Sequence, residues 1–256
     1  MKVVIVTTLW KRHALEACVL RRFNVIERVS ESVIGVIAVG SEGRATEAIA
    51  RASGVDYEEF PNSPLGAKHN RMLSAAKHYY PELDAVIVMG SDNWITDNAI
   101  DAYEAKLRDS GQLTFGVLDC YFTSVITGVS ARWPGYPLRN PRHGESVGAG
   151  RIILREALER CDWKLWDDRL ESRLDGSATA RMRSRKITIG AALQSDLGVR
   201  VVDFKSGTNI WPMDAFLKSP SWRVKTSEAL SGFDEREVAA LAETFPTMLN
   251  GKGRLR

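Results

Sequence analysis

The sequence predicts an α/β fold with a mostly parallel central sheet flanked by helices, and three observations predict it. Short apolar runs alternate with amphipathic segments through the first 110 residues, the βαβα pattern of parallel strands. A balance of 44% hydrophobic and 26% charged residues is that of a globular chain with a sizeable core. The apolar start, MKVVIVTTLW, is too short for a signal segment or a membrane span, so it reads as a first strand of a cytoplasmic protein.

Val3 to Val6 is that strand, and Leu15, Val19, Phe23 and Ile26 recur after it at helical spacing. VIGVIAV, residues 33–39, is the second strand, and Ala45, Ala48, Ile49 and Ala52 mark a helix ending at Gly54. A short strand in VDYEEF and the loop PNSPLG lead to a helix over 66–80. Met72, Leu73 and Ala76 face inward on it, and Pro81 stops it. The fourth strand, Ala85 to Met89, runs into GSDN, and a helix follows over about 96–108. Longer β-rich pieces then appear in LTFGVLDCYFTSVITG, followed by the loop ARWPGYPLRNPRHGES. GAGRIILREALER, residues 148–160, reads as a helix with a glycine-rich entry. The strand VRVVDF, the polar loop KSGTNIW and a helix over 234–249 complete the pattern. The change of pattern near Gly111 divides one domain into halves 1–110 and 111–256 on one continuous sheet.

The net charge of +3 permits an anionic ligand without requiring one. Basic residues gather in PLRNPRHG, in ARMRSRK and in the tail GKGRLR, as a solvated face or an anion-binding rim would have them. Cys18, Cys120 and Cys161 are scattered without metal spacing and read as reduced, buried thiols.

Asp92 is the residue that calls for chemistry. It stands in a Gly-Ser turn at the carboxyl end of a strand, where open α/β sheets bind ligands. A lone carboxylate there suits a hard divalent cation whose remaining positions go to water and phosphate oxygens. The other reading is that Asp92 caps the helix beginning near Thr96. In PLGAKHNRML, a helix start with free N–H groups and a cation makes a sensible neighbour for a diphosphate. Asp168 and Asp175 lie seven residues apart, on one face if the stretch is helical.

From its first strand to GSDN the chain resembles GT-A type glycosyltransferases, close to family-two nucleotide-sugar transferases and to small phage-encoded members. Their DxD-type motif ends the fourth strand, and here MGSDN stands there: Gly90 replaces the first acid, Asp92 keeps the metal-ligating one and Asn93 replaces the last. The resemblance implies that residues 1–110 bind the nucleotide-sugar and 111–256 serve the acceptor. Nucleotide contacts would come from Thr7, Thr8, Leu9 and Arg12 in VTTLWKR, with Trp10 available for stacking, and from Glu42 in VGSEG. PLGAKHNRML is similar to the family's G-x-x-x-R-N helix entry, which would set Gly66, Lys68 or His69, Asn70 and, from GSDN, Ser91 beside the diphosphate.

GAGR and LWDDRLESRLDGS resemble acceptor-side elements, with Gly148 and Gly150 shaping a turn, Arg151 directed at sugar or phosphate, and Asp167 and Asp168 where an acidic pair supplies the base. Asp168 and Asp175 are the two candidates for that base. In the last loop, Lys205 would reach the diphosphate and Asn209 would join Asp92 and Asn93 as an oxygen ligand of Mn2+ or Mg2+. The implied activity is transfer from a nucleotide-sugar, a UDP-sugar by analogy, to a hydroxyl acceptor: a hydroxylated base in phage DNA, a glycan or a small molecule. A sugar-1-phosphate nucleotidyltransferase is the alternative, although VTTLWKR lacks the glycine-rich loop such enzymes carry. A non-catalytic nucleotide-sugar or nucleic-acid binding protein is the third reading. No GxGxxG opens the first helix, which argues against a dinucleotide dehydrogenase.

Overall fold

Val3–Thr8 (β1), Val33–Gly40 (β2), Asp56–Glu59 (β3) and Ala85–Val88 (β4) lie parallel in the order β3-β2-β1-β4. They are joined through His13–Val29 (α1), Arg44–Ala52 (α2) and Leu65–Tyr79 (α3). The structure, a computed structural model, describes residues 1–218 and 221–249, so the basic tail GKGRLR lies outside the described residues.

β1 is an unbroken apolar run because both its faces are covered. Val3 and Ile5 pack with Leu15, Val19, Phe23 and Ile26 of α1, whereas Val4 and Val6 pack with Met72, Leu73 and Ala76 of α3. From β1, the chain builds β2 and β3 to one side and then returns to place β4 on the other. That reversal puts the topological switch point at the carboxyl ends of β1 and β4, the position at which open α/β sheets take ligands.

Beyond β4 come Asn93–Ile95 (β5), Ala99–Ser110 (α4), Thr114–Val117 (β6), Cys120–Ser124 (β7), Ser130–Trp133 (β8) and Arg151–Leu154 (β9). Arg155–Arg160 (α5), Leu174–Ser184 (α6), Gly190–Ala192 (β10), Gln194–Leu197 (α7) and Val201–Lys205 (β11) follow. The last elements are Met213–Leu217 (α8), Trp222–Val224 (β12), Thr226–Ala229 (α9) and Glu235–Thr244 (α10). Among the described residues the main sheet runs β10-β6-β9-β4-β1-β2-β3, and a second sheet runs β12-β8-β7-β11-β5. The β-rich second half thus supplies strands to two sheets rather than extending one.

Three expected elements differ. GAGRIILREALER is half strand: β9 lies antiparallel between β4 and β6, and only Arg155–Arg160 is helical. Ile152 and Ile153 point to opposite faces and are buried on both, which leaves no helical period for Arg151–Leu154 to obey. The helix after GSDN starts at Ala99, since Asn93–Ile95 pairs antiparallel with β11. The last helix ends at Thr244 and is capped at its start by Asp234, whose side chain accepts the Arg236 N–H at 2.7 Å. The three cysteines are free and buried. Among the described residues no helix is long and apolar enough to cross a membrane.

Candidate functional site

The carboxyl ends of β1 and β4 gather side chains from three distant segments. After β4, the Gly90 N–H donates to Asn93 Oδ1 at 2.8 Å and folds GSDN into a tight turn. A Cβ on Gly90 would stand 2.5 Å from Asp92 Oδ1 and 2.6 Å from Asn93 Oδ1, so a side chain at 90 would push both of those groups aside. The Phe204 N–H donates to the Asp92 carbonyl at 2.7 Å and brings the loop after β11 over the turn. Asn209 Nδ2 then donates to Asp92 Oδ2 at 2.7 Å. From the loop after β1, Arg12 donates through Nη1 to the same Asp92 oxygen and through Nη2 to Ser91 Oγ at 2.9 Å. Asp92 does not cap α4, whose N-cap is Asn98.

Of the oxygens expected to hold a divalent cation, all but Asp92 Oδ1 are turned to the chain's own donors. Asp92 Oδ2 takes Arg12 and Asn209, Asn93 Oδ1 takes Gly90, and Asn209 Oδ1 takes the Ser206 N–H and hydroxyl. Among the described residues no group of three or more His, Cys, Asp or Glu side chains is placed to hold a metal. A hard cation bound through one carboxylate takes the rest of its shell from water and phosphate oxygens; here Asp92 Oδ2 is spent on Arg12 and Asn209, which leaves Asp92 Oδ1 for it.

Lys205 is buried and lies between the rings of Phe122 and Phe216, 4.9 and 4.8 Å from their centroids. Its Nζ is 2.9 Å from the Asp203 carboxylate. Asp203 escaped the sequence reading, although an acid in the apolar run VRVVDF was the available signal. Burial pushes its carboxyl up, against the pull of Lys205, with Asp92 adding to the rise and Arg12 opposing it.

Thr7 and Leu9 are fully buried at the end of β1, Thr8 is half-buried, and Trp10 lies under the Lys11 ammonium at 4.6 Å. Glu42 accepts the Lys11 N–H at 2.6 Å, joining the loops after β1 and β2. Lys68 does not reach this site. Its buried Nζ donates to the Leu9 carbonyl, Asn62 Oδ1 and Ser41 Oγ at 2.7, 3.0 and 3.1 Å, tying together the loops after β1, β2 and β3. His69 lies edge-on to Trp166 at 5.1 Å, and its Nδ1 is 2.9 Å from the Leu65 carbonyl.

Gly66 and Asn70 serve a different purpose from the one expected. Asn70 uses its whole amide: Oδ1 accepts the N–H groups of Leu165 and Trp166, and Nδ2 donates to the Trp166 carbonyl and to Asp168 Oδ1. The Gly66 N–H donates to the Leu170 carbonyl at 2.8 Å, and a Cβ at 66 would fall 1.9 Å from the Asp167 carbonyl oxygen. The entry of α3 is therefore a dock for residues 165–170. Gly66→Ala is expected to destabilise the fold by about 2 kcal/mol through this collision with backbone, read from urea unfolding; a change below a few tenths would show that the dock yields.

Asp168 is held by Asn70 and by Lys164, whose Nζ is 3.1 Å away, and its carboxyl is kept below the usual range chiefly by the Asn70 bond. Asp167 pairs with Arg169. Residues 167–173 are not helical, so Asp168 and Asp175 share no helix face.

Asp175, in the first turn of α6, is half-buried and, among the described residues, makes no hydrogen bond or ion pair. It lies against Gly148, where a Cβ would meet its Oδ1 at 2.0 Å. The Gly150 N–H donates to the Val88 carbonyl at 2.8 Å, so the GAGR turn is stitched to the end of β4. Gly150 takes the left-handed φ of +73° that suits glycine there. The charges around Asp175 come from Arg151, Tyr136 and His69: burial lowers Arg151 against the pull of Asp175, and burial with the Asp175 charge pushes Tyr136 up to about 12. Arg151 is itself buried, donating to Ser146 Oγ at 2.9 Å and to the Ser146 carbonyl at 2.8 Å.

No protein-family model matches the chain, and no curated protein matches it in sequence. Solved structures do share its architecture. S. aureus TarS in complex with UDP-GlcNAc superposes with a TM-score of 0.56 at 13% identity, over 100% of this chain and 68% of that one. Glucosyl-3-phosphoglycerate synthase from Mycobacterium tuberculosis, in complex with Mn2+, uridine diphosphate and glucosyl-3-phosphoglycerate, gives 0.50 at 14%, over 96% and 80%. CMP:2-keto-3-deoxy-manno-octonic acid synthetase complexed with CTP gives 0.50 at 14%, over 85% and 96%. The fold is GT-A-like, an architecture that glycosyltransferases and nucleotidyltransferases have in common.

Proposed function

We propose that this chain transfers a sugar from a nucleoside diphosphate sugar, a UDP-sugar by likeness to its structural neighbours, to a hydroxyl acceptor. One observation carries the reading: Asp175 is an unpaired, half-buried carboxylate beside the same end of β4 that presents Asp92. The nucleotide lies along the carboxyl ends of β1 and β4, against Arg12 and Ser91, with the loops of Thr7 to Leu9 and of Glu42 at the base. The acceptor approaches over the GAGR turn. Its O–H bond breaks as the proton passes to Asp175, its oxygen bonds to the anomeric carbon, and the bond from that carbon to the β-phosphate oxygen breaks. The electron pair leaves with the nucleoside diphosphate. Asp168, bound by Asn70 and Lys164, serves to position its segment.

Nucleotidyl transfer, the reading second in weight, rests on the architecture shared with the synthetase. Where the acceptor is a sugar-1-phosphate, the attacking phosphate oxygen carries no proton for Asp175 to remove, so the free carboxylate favours glycosyl transfer over that reaction. A DNA acceptor draws its support from charge alone: Arg142 and Arg183 converge on the buried Glu145, and His143 and Lys186 line the cavity beside them.

The test is a melting-temperature screen of UDP-, GDP-, ADP- and CDP-sugars, with and without manganese. A ligand at one hundred times its Kd stabilises the native state by about 2.7 kcal/mol, a rise of about 5 °C or more for a chain of this length. UDP-sugars are expected to give the largest rise, and no rise with any of them would remove the reading.

A further inference from the structure

We propose that Arg12 supplies the positive charge that holds the departing diphosphate, and that Asp92 positions Arg12 instead of ligating a metal, so that donor binding needs no divalent cation. The inference rests on the donor site proposed above.

The geometry of the arginine carries it. One edge of the guanidinium is spent inside the protein, Nη1 on Asp92 and Nη2 on Ser91, which fixes its plane at the carboxyl ends of β1 and β4. The Nε–H is buried and has no acceptor. A buried donor without a partner is costly; the buried Glu16 carboxylate, its Oε2 also unpartnered, lends Arg12 charge from within, and the exposed part of the guanidinium is what an arriving anionic oxygen would meet. Guanidinium is also the side chain best shaped for phosphate, being always charged and presenting several donors in one plane.

The other side chains agree with this assignment. Asn209 gives its amide N–H to Asp92 and turns its oxygen away to Ser206, the orientation of a group that restrains a carboxylate rather than one that shares a cation with it. The Asn93 oxygen is spent on Gly90. Asp203 is neutralised by Lys205. The site therefore holds Arg12 in the field of Asp92 and the buried Glu16, with Asp203 paired to Lys205, and it has a fixed cation already seated on one oxygen of the carboxylate that a metal would need.

Arg12 and metal make opposite forecasts for one substitution. If Asp92 ligated a cation, Asp92→Asn would abolish diphosphate binding. If it positions Arg12, the amide introduced by Asp92→Asn keeps an oxygen for the guanidinium and removes a negative charge next to the ligand, so binding tightens.

The experiment is calorimetric titration of the full chain with UDP, or with whichever of CDP, ADP and GDP the melting screen selects, once in EDTA and once in manganese. The wild type is expected to bind with equal affinity, within about twofold, in the two buffers. In EDTA, Asp92→Asn is expected to bind about threefold tighter, and Arg12→Gln at least about tenfold weaker, the loss of a charge-assisted hydrogen bond, with Arg12→Lys between it and wild type. Manganese-dependent binding by the wild type, or loss of binding in Asp92→Asn with a native circular dichroism spectrum, would overturn the inference while leaving the donor site in place. Absence of binding in both buffers would remove the donor site and the inference together. Should Arg12→Gln fail to fold, the buffer comparison and Asp92→Asn decide the matter.

Discussion

Asp175→Asn is expected to lower kcat for sugar transfer by about 10³-fold, within the span that a positioned general base contributes, while donor affinity stays within about twofold of wild type. The substitution keeps the size of the side chain against Gly148 and removes only its ability to accept a proton. No structural bond is lost, because among the described residues Asp175 makes no hydrogen bond or ion pair, so the melting temperature should hold. The paired acid gives the contrast. Asp168→Asn, which alters a contact with Asn70 and Lys164, should lower stability more than turnover. If Asp168→Asn were the more damaging to kcat with donor affinity retained, the base would lie at 168.

Lys68→Met should produce the largest stability loss, about 3 kcal/mol in urea unfolding, since three buried acceptors on three loops lose a charged donor at once. Its pH dependence has a definite sign. Burial brings the Lys68 ammonium from 10.5 down to about 8. Between those values the unfolded chain holds a proton that the folded one has released. The charged form is therefore disfavoured in the fold: that cost is fully present below pH 8 and is relieved as the pH rises towards 10.5. The advantage of wild type over Lys68→Met should widen across this interval when both are unfolded at matched pH. A gap that stays flat or narrows would mean the ammonium is as well solvated in the fold as out of it.

Much of this was legible in the residues, for local reasons. VVIV and VIGVIAV announce strands covered on both faces, and the spacing of Leu15, Val19, Phe23 and Ile26 announces the helix between them. The end of β4 stood out because a carboxylate follows an apolar run. The residues that misled did so because their partners lie far away in sequence. Asn70 reads as a phosphate-side residue until its bonds to Leu165, Trp166 and Asp168 are seen, and nothing near Lys68 in sequence names the carbonyl of Leu9. Arg151–Leu154 hid because a strand buried on both faces has no alternation to read. Asp203 hid because its meaning lies in Lys205 and in the turn it faces across β5.

The bare backbone at Gly90 sets a limit on how this chain can change. An aspartate there would displace the side chains of both Asp92 and Asn93, so the two-acid form of the motif would come at the expense of the Asn93 bond to the Gly90 N–H. Asn93 opens β5, so its release would be felt in the pairing of β5 with β11. Anyone altering metal binding in this scaffold should treat residues 90–95 together with Arg12, because the side chains of the turn are tied to one another and to that arginine.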